Sequence, residues 1–181
     1  MSHKLAQVSM NGRMAYTIMC VEAFLVNQYP ERDWRLLAKK MWDATSINWG
    51  DWPVVYCNYL PDVILQYNDY VPEEFKNEMT LQEFNYAKSL YAGITEGRQD
   101  DPTDVVDYML SKHFEMAMVY EGTEIGDGHE SFEIIDEAEQ VLLEHNIPLP
   151  DHNLVKFSPA SEFNGWGYNF DGTHLSIILN K

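Results

Sequence analysis

The sequence predicts a mainly α-helical protein that folds as a single domain over residues 1–181, built as a bundle of six or seven helices. Apolar residues recur every three or four positions in several stretches, which is the period of a helix with one buried face. Residue types that start and stop helices bound these stretches. The chain of 181 residues is 45% hydrophobic and 13% aromatic, which suffices for one sizeable core, and no linker or internal repeat divides it.

The first two predicted helices lie on either side of Pro30. Asn11 is the predicted N-cap of the first helix, and Pro30 is expected to end it. The inward positions of this helix are Met14, Ile18, Val21 and Leu25. The second helix is predicted within residues 31–46, with Trp34, Leu37 and Met41 inward and with Arg32, Arg35, Lys39 and Lys40 on its exposed side.

Capping signals predict the helices of the middle region. These are 53–60 after Asp51, 61–67 beginning at Pro61, 81–92 after Thr80, and 102–120 after Asp101. Thr80 and Glu83 match a capping box, in which each side chain bonds the backbone amide of the other residue. Proline suits the first helical position because its missing N–H has no partner there, which explains Pro61 and Pro102.

The strongest helical pattern is "GHESFEIIDEAEQVLLEH", residues 128–145, which a second capping box from Asp127 to Glu130 opens. One arc of about 120° holds Ser131, Ile134, Ile135, Ala138, Val141, Leu142 and His145. The opposite arc holds Glu130, Glu133, Glu137, Gln140 and Glu144. Asn146 and Pro148 are expected to end this helix.

The C-terminal segment, residues 147–181, is rich in proline, glycine, asparagine and aromatic residues and is predicted to be largely irregular. "LVKF" and "LSIIL" favour two short strands that pair as a small hairpin. "THLSIIL" is equally compatible with a terminal helix, because periodicity does not separate strand from helix in runs this short.

Charge is concentrated in one region of the chain. The formal net charge is −17, and residues 96–151 hold sixteen acidic side chains against Arg98 and Lys112, a local balance of −14. Direct binding to a nucleic-acid backbone or to an anionic membrane surface is therefore not expected, since both depend on basic residues. The N-terminus lacks a secretion signal and no long apolar run is present, so we expect a soluble, cytoplasmic protein with Cys20 and Cys57 as buried, reduced thiols.

No motif identifies a reaction. The six histidines do not fall in metal-ligand spacings, no segment fits a calcium-binding EF-hand loop, and phosphate-binding glycine loops and a nucleophile elbow are missing from the sequence. We therefore predict no cofactor and no metal. Catalysis by paired carboxylates in a helical cleft is the enzymatic alternative, and two acids buried with a histidine such as His113 would favour it.

Carboxylates next to apolar residues indicate a surface for a basic protein on residues 128–145. Phe132 and Leu143 flank the acidic arc, and "EFNGWGYNFDG" supplies a second candidate, an aromatic loop with Trp166 or Tyr168 as its anchor. The residues predicted to contact the partner are Glu130, Phe132, Glu133, Asp136, Glu137, Leu143, Glu144, Trp166 and Tyr168. We therefore predict a protein that binds and occludes a basic partner. In a small acidic chain without catalytic motifs, the most concrete form of this hypothesis is an immunity or antitoxin-type inhibitor of a cationic toxin such as a nuclease.

Two further interpretations stay open at this point. The acidic residues of 128–145 can serve solubility alone, as the solvated face of an ordinary helix. The chain can also be a self-associating structural protein, a homodimer in which the cations of residues 31–46 contact the acidic region of a second copy.

Overall fold

A computed structural model describes residues 3–46, 52–75, 78–98, 103–122 and 128–181, with the side chains of 120–122 excepted. The described residues form eight α-helices and contain no β-strand, which confirms the mainly α-helical prediction. The helices are α1 (Met10–Gln28), α2 (Arg35–Trp42), α3 (Trp52–Tyr56), α4 (Pro61–Ile64), α5 (Pro72–Phe75), α6 (Leu81–Tyr91), α7 (Val105–Gly122) and α8 (His129–Glu144). The one-turn helix α5 was not among the predicted segments. No described helix is both long and apolar enough to cross a membrane.

The three long helices α1, α7 and α8 pack against one another and form the centre of the fold. Helix α1 is buried on almost all sides, since nearly every residue from Met10 to Leu25 is inaccessible to solvent. The four predicted inward residues of α1 are in this core, as are Trp34, Leu37 and Met41 of the second helix region. A helix that is surrounded by neighbours has no solvated face, and this explains why α1 lacks a strongly polar stripe.

The predicted N-cap of α1, Asn11, is wrong, because Ser9 holds that position. The hydroxyl of Ser9 accepts a hydrogen bond from the backbone N–H of Gly12 at 3.2 Å, and Ser9 has an extended backbone. Asn11 lies inside the first turn instead. Its side-chain amide donates to the carbonyl oxygen of Gly167, so its polar group is used in a tertiary contact rather than in a local cap.

The capping box of α6 is confirmed. Glu83 N–H donates to the hydroxyl of Thr80 at 3.2 Å, and Thr80 N–H donates to the Glu83 carboxylate at 2.8 Å. Thr80→Ala is expected to lower the free energy of unfolding by about 1 kcal/mol, because the backbone N–H of Glu83 loses its acceptor, the Thr80 hydroxyl. Urea denaturation checks this, with the exposed Gln82→Ala of the same helix as the control. A loss in Thr80→Ala no greater than in the control would contradict the role of the cap.

Three other predicted helix starts lie partly outside the described residues. Asp51, the pair Asp101 and Pro102, and the capping-box residue Asp127 belong to segments that the structure does not describe. Helix α4 begins at Pro61 as predicted. Helix α8 begins at His129, after Gly128 in the left-handed region (φ 65°). A Cβ atom at Gly128 would lie 2.4 Å from an Arg13 guanidinium nitrogen, so only glycine fits there.

The C-terminal segment is irregular, as predicted, and forms neither the hairpin nor a terminal α-helix. It contains 3₁₀ turns at His152–Val155, Phe163–Gly165 and Gly172–Leu175. The backbone N–H of Ile177 donates to the carboxylate of Glu22 at 2.8 Å, and the Ser176 hydroxyl accepts from the N–H of Ile178 and of Leu179. These three amides of "LSIIL" are thus bound by side chains, which leaves them unavailable to a partner strand.

The two cysteines are free thiols. Cys20 is buried in α1, as expected, whereas Cys57 is only half-buried. Burial raises the pKa of both thiols, so both are kept in the protonated, weakly nucleophilic form at neutral pH.

Candidate functional site

The outer face of α8 presents a row of exposed side chains over four turns. Its exposed residues are Glu130, Glu133, Asp136, Glu137, Gln140, Leu143 and Glu144. The opposite face is buried as its pattern predicts, except that His145, at the end of the arc, is half-buried with its ring edge-on to Phe24. Because the inner face is packed into the core, the outer face is a fixed platform whose side chains keep a constant spacing along the helix.

Two acids of α8 are engaged by side chains of the same chain. Glu137 accepts hydrogen bonds from the ammonium group of Lys112 at 2.6 Å and from the hydroxyl of Tyr108 at 3.2 Å. Asp136 lies 3.2 Å from the ring of His3. These two residues were predicted to face a partner, and intramolecular contacts already engage their charges.

Three acids of the exposed face have no lysine or arginine partner among the described residues. Glu133 lies 3.5 Å from His129, Glu144 accepts from the side chain of Gln140 at 2.8 Å, and no ion pair involves Glu130. Leu143 is 55% exposed and directly precedes Glu144. Glu130, Glu133, Leu143 and Glu144 are named here the α8 surface. It combines uncompensated negative charge with one exposed apolar side chain.

The predicted apolar pair of Phe132 and Leu143 is not presented as a pair. Phe132 is half-buried between the ring of His3, with centroids 4.3 Å apart, and the guanidinium of Arg13, which lies 4.1 Å from its ring centroid. The N-terminal segment therefore covers Phe132. Leu143 remains as the apolar side chain of α8 that is open to solvent.

Not all of the acidic region is surface. Asp104, Asp107 and Glu139 are buried, and Glu139 pairs with Lys4 and accepts a hydrogen bond from Tyr16. The local balance of −14 therefore overstates the charge that faces solvent. Sequence periodicity missed the burial of Glu139, because its partners come from residues more than 100 positions earlier in the chain.

Arg13 joins the N-terminal ends of α1 and α8. Its buried guanidinium donates to the carbonyl of Val8 at 3.0 Å, to the carbonyl of Gly128 at 3.2 Å and to the hydroxyl of Ser131 at 2.8 Å. Since Phe24 contacts His145 at the other ends, the two helices run parallel. The first turn of α8, with Glu130 and Glu133, is thus beside the start of α1.

The aromatic loop lies at this same end of the bundle. The backbone N–H of Asn11 donates to the carbonyl of Trp166 at 3.0 Å, which fixes the loop to the first turn of α1. Trp166 itself is half-buried against the core, whereas Tyr168 is 63% exposed. Phe163, which sequence analysis did not select, is 61% exposed, and its ring centroid lies 6.1 Å from that of Tyr168.

A second group of polar residues is buried between α4 and α7. One oxygen of Asp104 accepts from the backbone N–H of Glu96 at 2.9 Å, and one oxygen of Asp107 accepts from that of Asp62 at 3.3 Å. The other carboxylate oxygen of Asp104 and of Asp107 is buried without a hydrogen-bond partner among the described residues. Burial, the charge of Asp62 and that of Asp104 together raise the pKa of Asp107 to about 7.

His113 is buried close to these aspartates but is not linked to them. Its ring packs against Trp52 and Tyr56, with centroid distances of 4.6 and 5.0 Å, and neither ring nitrogen has a hydrogen-bond partner in the described part of the chain. Burial lowers the pKa of His113 to about 3, so the ring is neutral. The acids and the histidine of the enzymatic alternative are thus all buried. They lack the hydrogen bonds of a catalytic pair, and neither Asp107 nor His113 is exposed to a substrate.

The cations of the second predicted helix are mostly engaged within the chain. Arg32 donates to the carbonyl oxygens of Ser89, Leu90 and Ala92 at the C-terminal end of α6, and Lys40 lies 3.3 Å from Glu83. Arg35 pairs with Asp33. Trp34 and Trp42 are buried, so the helix offers no stacking platform for nucleic-acid bases.

Comparisons with known proteins give no match: no family model, no curated protein and no solved structure is significantly similar to the chain. Within the described part of the chain, no three His, Cys, Asp or Glu side chains are arranged to hold a metal ion. Function is therefore inferred from the geometry and charge of the chain itself.

Proposed function

We propose that this protein binds a basic protein partner through the α8 surface and occludes it, in the manner of an immunity or antitoxin-type inhibitor of a cationic toxin. The observation that carries the proposal is the set of exposed acids on a helix whose other face is fixed in the core. Glu130, Glu133 and Glu144 have no lysine or arginine partner among the described residues, and the exposed Leu143 directly precedes Glu144.

The two kinds of group have different roles in such an interface. Uncompensated carboxylates accelerate the encounter with a positively charged surface, and their effect falls as salt is added. Leu143 and Tyr168 provide apolar area that is buried once the partner is in place. Because helix α8 is already folded against α1 and α7, little backbone conformational entropy is lost when the α8 surface binds.

Self-association is less well supported than a separate partner. The acidic surface of one copy would need free cations on another. Of the four cations of residues 31–46, Arg32, Arg35 and Lys40 already have partners in their own chain, and Lys39 is exposed without an ion pair to a described residue. An enzymatic role is supported by the raised pKa of Asp107 alone, and that carboxylate is inaccessible.

The test combines capture with a matched charge control. The triple variant Glu130→Gln, Glu133→Gln, Glu144→Gln removes the charge of the α8 surface. Asp69→Asn, Glu73→Gln, Glu74→Gln changes the net charge by the same amount at exposed positions far along the chain from α8. Proteins captured from the native cell extract at low salt and released by a salt step are identified, purified and titrated against all three forms.

We expect one basic protein whose dissociation constant is about tenfold or more higher for the α8 variant than for the wild type, mainly through slower association. The control variant should bind as the wild type does. Equal affinity of the wild type and the α8 variant, or an equal loss in both variants, would show that α8 is only a solvated face.

A further inference from the structure

Two large aromatic side chains of the C-terminal segment are exposed side by side. Phe163 and Tyr168 expose 61% and 63% of their surface, more than any other large hydrophobic residue that the structure describes. Their ring centroids are 6.1 Å apart and their planes are inclined by 36°. A pair of rings left in water costs solvation free energy, and such pairs are typical of recognition sites.

The loop that carries the pair is held in an unfavourable backbone conformation. Phe163 and Asn164 have positive φ angles of 44° and 55°, a region that asparagine tolerates and that is unfavourable for a bulky residue such as phenylalanine. Gly167 is packed so closely that a Cβ atom there would lie 2.2 Å from the Ser9 hydroxyl. The hydrogen bonds from Asn11 to Trp166 and Gly167 fix the loop to α1. The backbone that carries the two rings is therefore held in one conformation.

The chemistry of this position favours a cation. The faces of aromatic rings attract positive charge, and arginine does so most effectively because its planar guanidinium stacks on a ring. Glu162, which precedes Phe163, forms no ion pair with a described residue and adds a negative charge. The same chain uses this pairing internally, where the guanidinium of Arg13 lies 4.1 Å from the ring centroid of Phe132.

We infer that Phe163 and Tyr168 form a receptor for an arginine side chain of the basic partner. This inference rests on the proposed function and names the partner's group that the aromatic loop binds. The loop and the first turn of α8 lie at the same end of the bundle, because Asn11 of α1 bonds the loop and Arg13 of α1 bonds the start of α8. A partner that covers about 800 Å² of this protein, the usual size of a stable interface, reaches both.

The test uses fluorescein-labelled nona-arginine and nona-lysine peptides as probes, with affinity measured by fluorescence anisotropy. The wild type is expected to bind nona-arginine about threefold to fivefold more tightly than nona-lysine, the range of a cation–π gain at an exposed site. The double variant Phe163→Leu/Tyr168→Leu should bind both peptides with the affinity that the wild type has for nona-lysine. Phe157→Leu, a half-exposed aromatic that packs against Phe170, is the matched control and should keep the preference.

The single variant Tyr168→Leu is a control for misfolding of the double variant, because Tyr168 does not have a left-handed backbone conformation. It should lose most of the preference for arginine over lysine and keep the circular dichroism spectrum of the wild type. No arginine preference in the wild type, or a preference retained in both leucine variants, would overturn the inference. The α8 variant Glu130→Gln/Glu133→Gln/Glu144→Gln should bind both peptides more weakly and keep the preference. An α8 variant that binds both peptides like the wild type would contradict the proposed function and leave the aromatic receptor standing as a separate arginine site.

Discussion

Replacing Glu22 with alanine is expected to lower the free energy of unfolding by about 3 to 4 kcal/mol. The side chain is fully buried, and its carboxylate accepts from the indole N–H of Trp42 at 2.8 Å, the hydroxyl of Ser176 at 2.6 Å and the backbone N–H of Ile177 at 2.8 Å. Alanine would leave these three donors without their acceptor, two of them in buried residues, and each lost hydrogen bond costs about 1 kcal/mol or more.

The same substitution should release the C-terminal segment from α1 and α2. Urea denaturation followed by tryptophan fluorescence measures the loss of stability, and amide hydrogen exchange of Ile177 reports the release. Glu73→Ala makes the same chemical change at an exposed position and should cost less than about 0.5 kcal/mol. A loss below 1 kcal/mol in Glu22→Ala, with Ile177 still protected, would show that Glu22 does not hold the segment.

Elements with strong local signals were predicted correctly from the sequence. The capping box of α6 needs only Thr80 and Glu83, which are three residues apart, and both of its hydrogen bonds form. The alternation of buried and exposed positions along α8 follows from helical geometry alone. Such features depend on neighbours in the chain, so the sequence is sufficient to predict them.

Features that depend on distant residues were not predicted. Ser9 and Asn11 are both good N-caps by type, and the choice between them is made by the contact of Asn11 with Gly167, 156 residues away. The burial of Glu22 requires Ser176 and Ile177, which follow it by more than 150 residues. A carboxylate that will be buried has the same local pattern as one that will be solvated, so a count of acids overestimates the acidic surface.

The candidate site was predicted in part for the same reason. The exposure of Glu130, Glu133 and Glu144 follows from the period of α8, and their positions are as expected. Phe132 lies outside the apolar arc of α8 and was therefore predicted to be exposed. His3 and Arg13 cover it, and because both residues lie outside α8 the helical pattern does not reveal this contact. Exposure of Phe163 depends on left-handed backbone angles at non-glycine residues, and these have no sequence signature.

Asp107→Asn is expected to stabilise the protein at pH 8 and to have a much smaller effect at pH 5. Burial next to Asp62 and Asp104 raises the pKa of Asp107 to about 7, against an unfolded value near 3.9. The folded state therefore binds a proton that the unfolded state has lost, so stability falls as the pH rises from about 4 through 7. Tyr56 faces the same cluster from α3 and is neutral throughout, because burial and the charge of Asp107 raise its pKa.

Asparagine keeps the carbonyl oxygen that accepts from the backbone N–H of Asp62, and it cannot ionise. The free energy of unfolding of Asp107→Asn should therefore not decline between pH 5 and 8. In the wild type this decline amounts to about 1 to 3 kcal/mol by proton linkage. Urea midpoints at pH 5, 6, 7 and 8 measure the difference, and Asp69→Asn, at an exposed position, corrects for the loss of one negative charge. If the wild type and Asp107→Asn changed in parallel over this range, Asp107 would be ionised in the folded protein at pH 5. The cluster of Asp62, Asp104 and Asp107 would then contain a compensating cation, because three neighbouring carboxylates without one would repel each other.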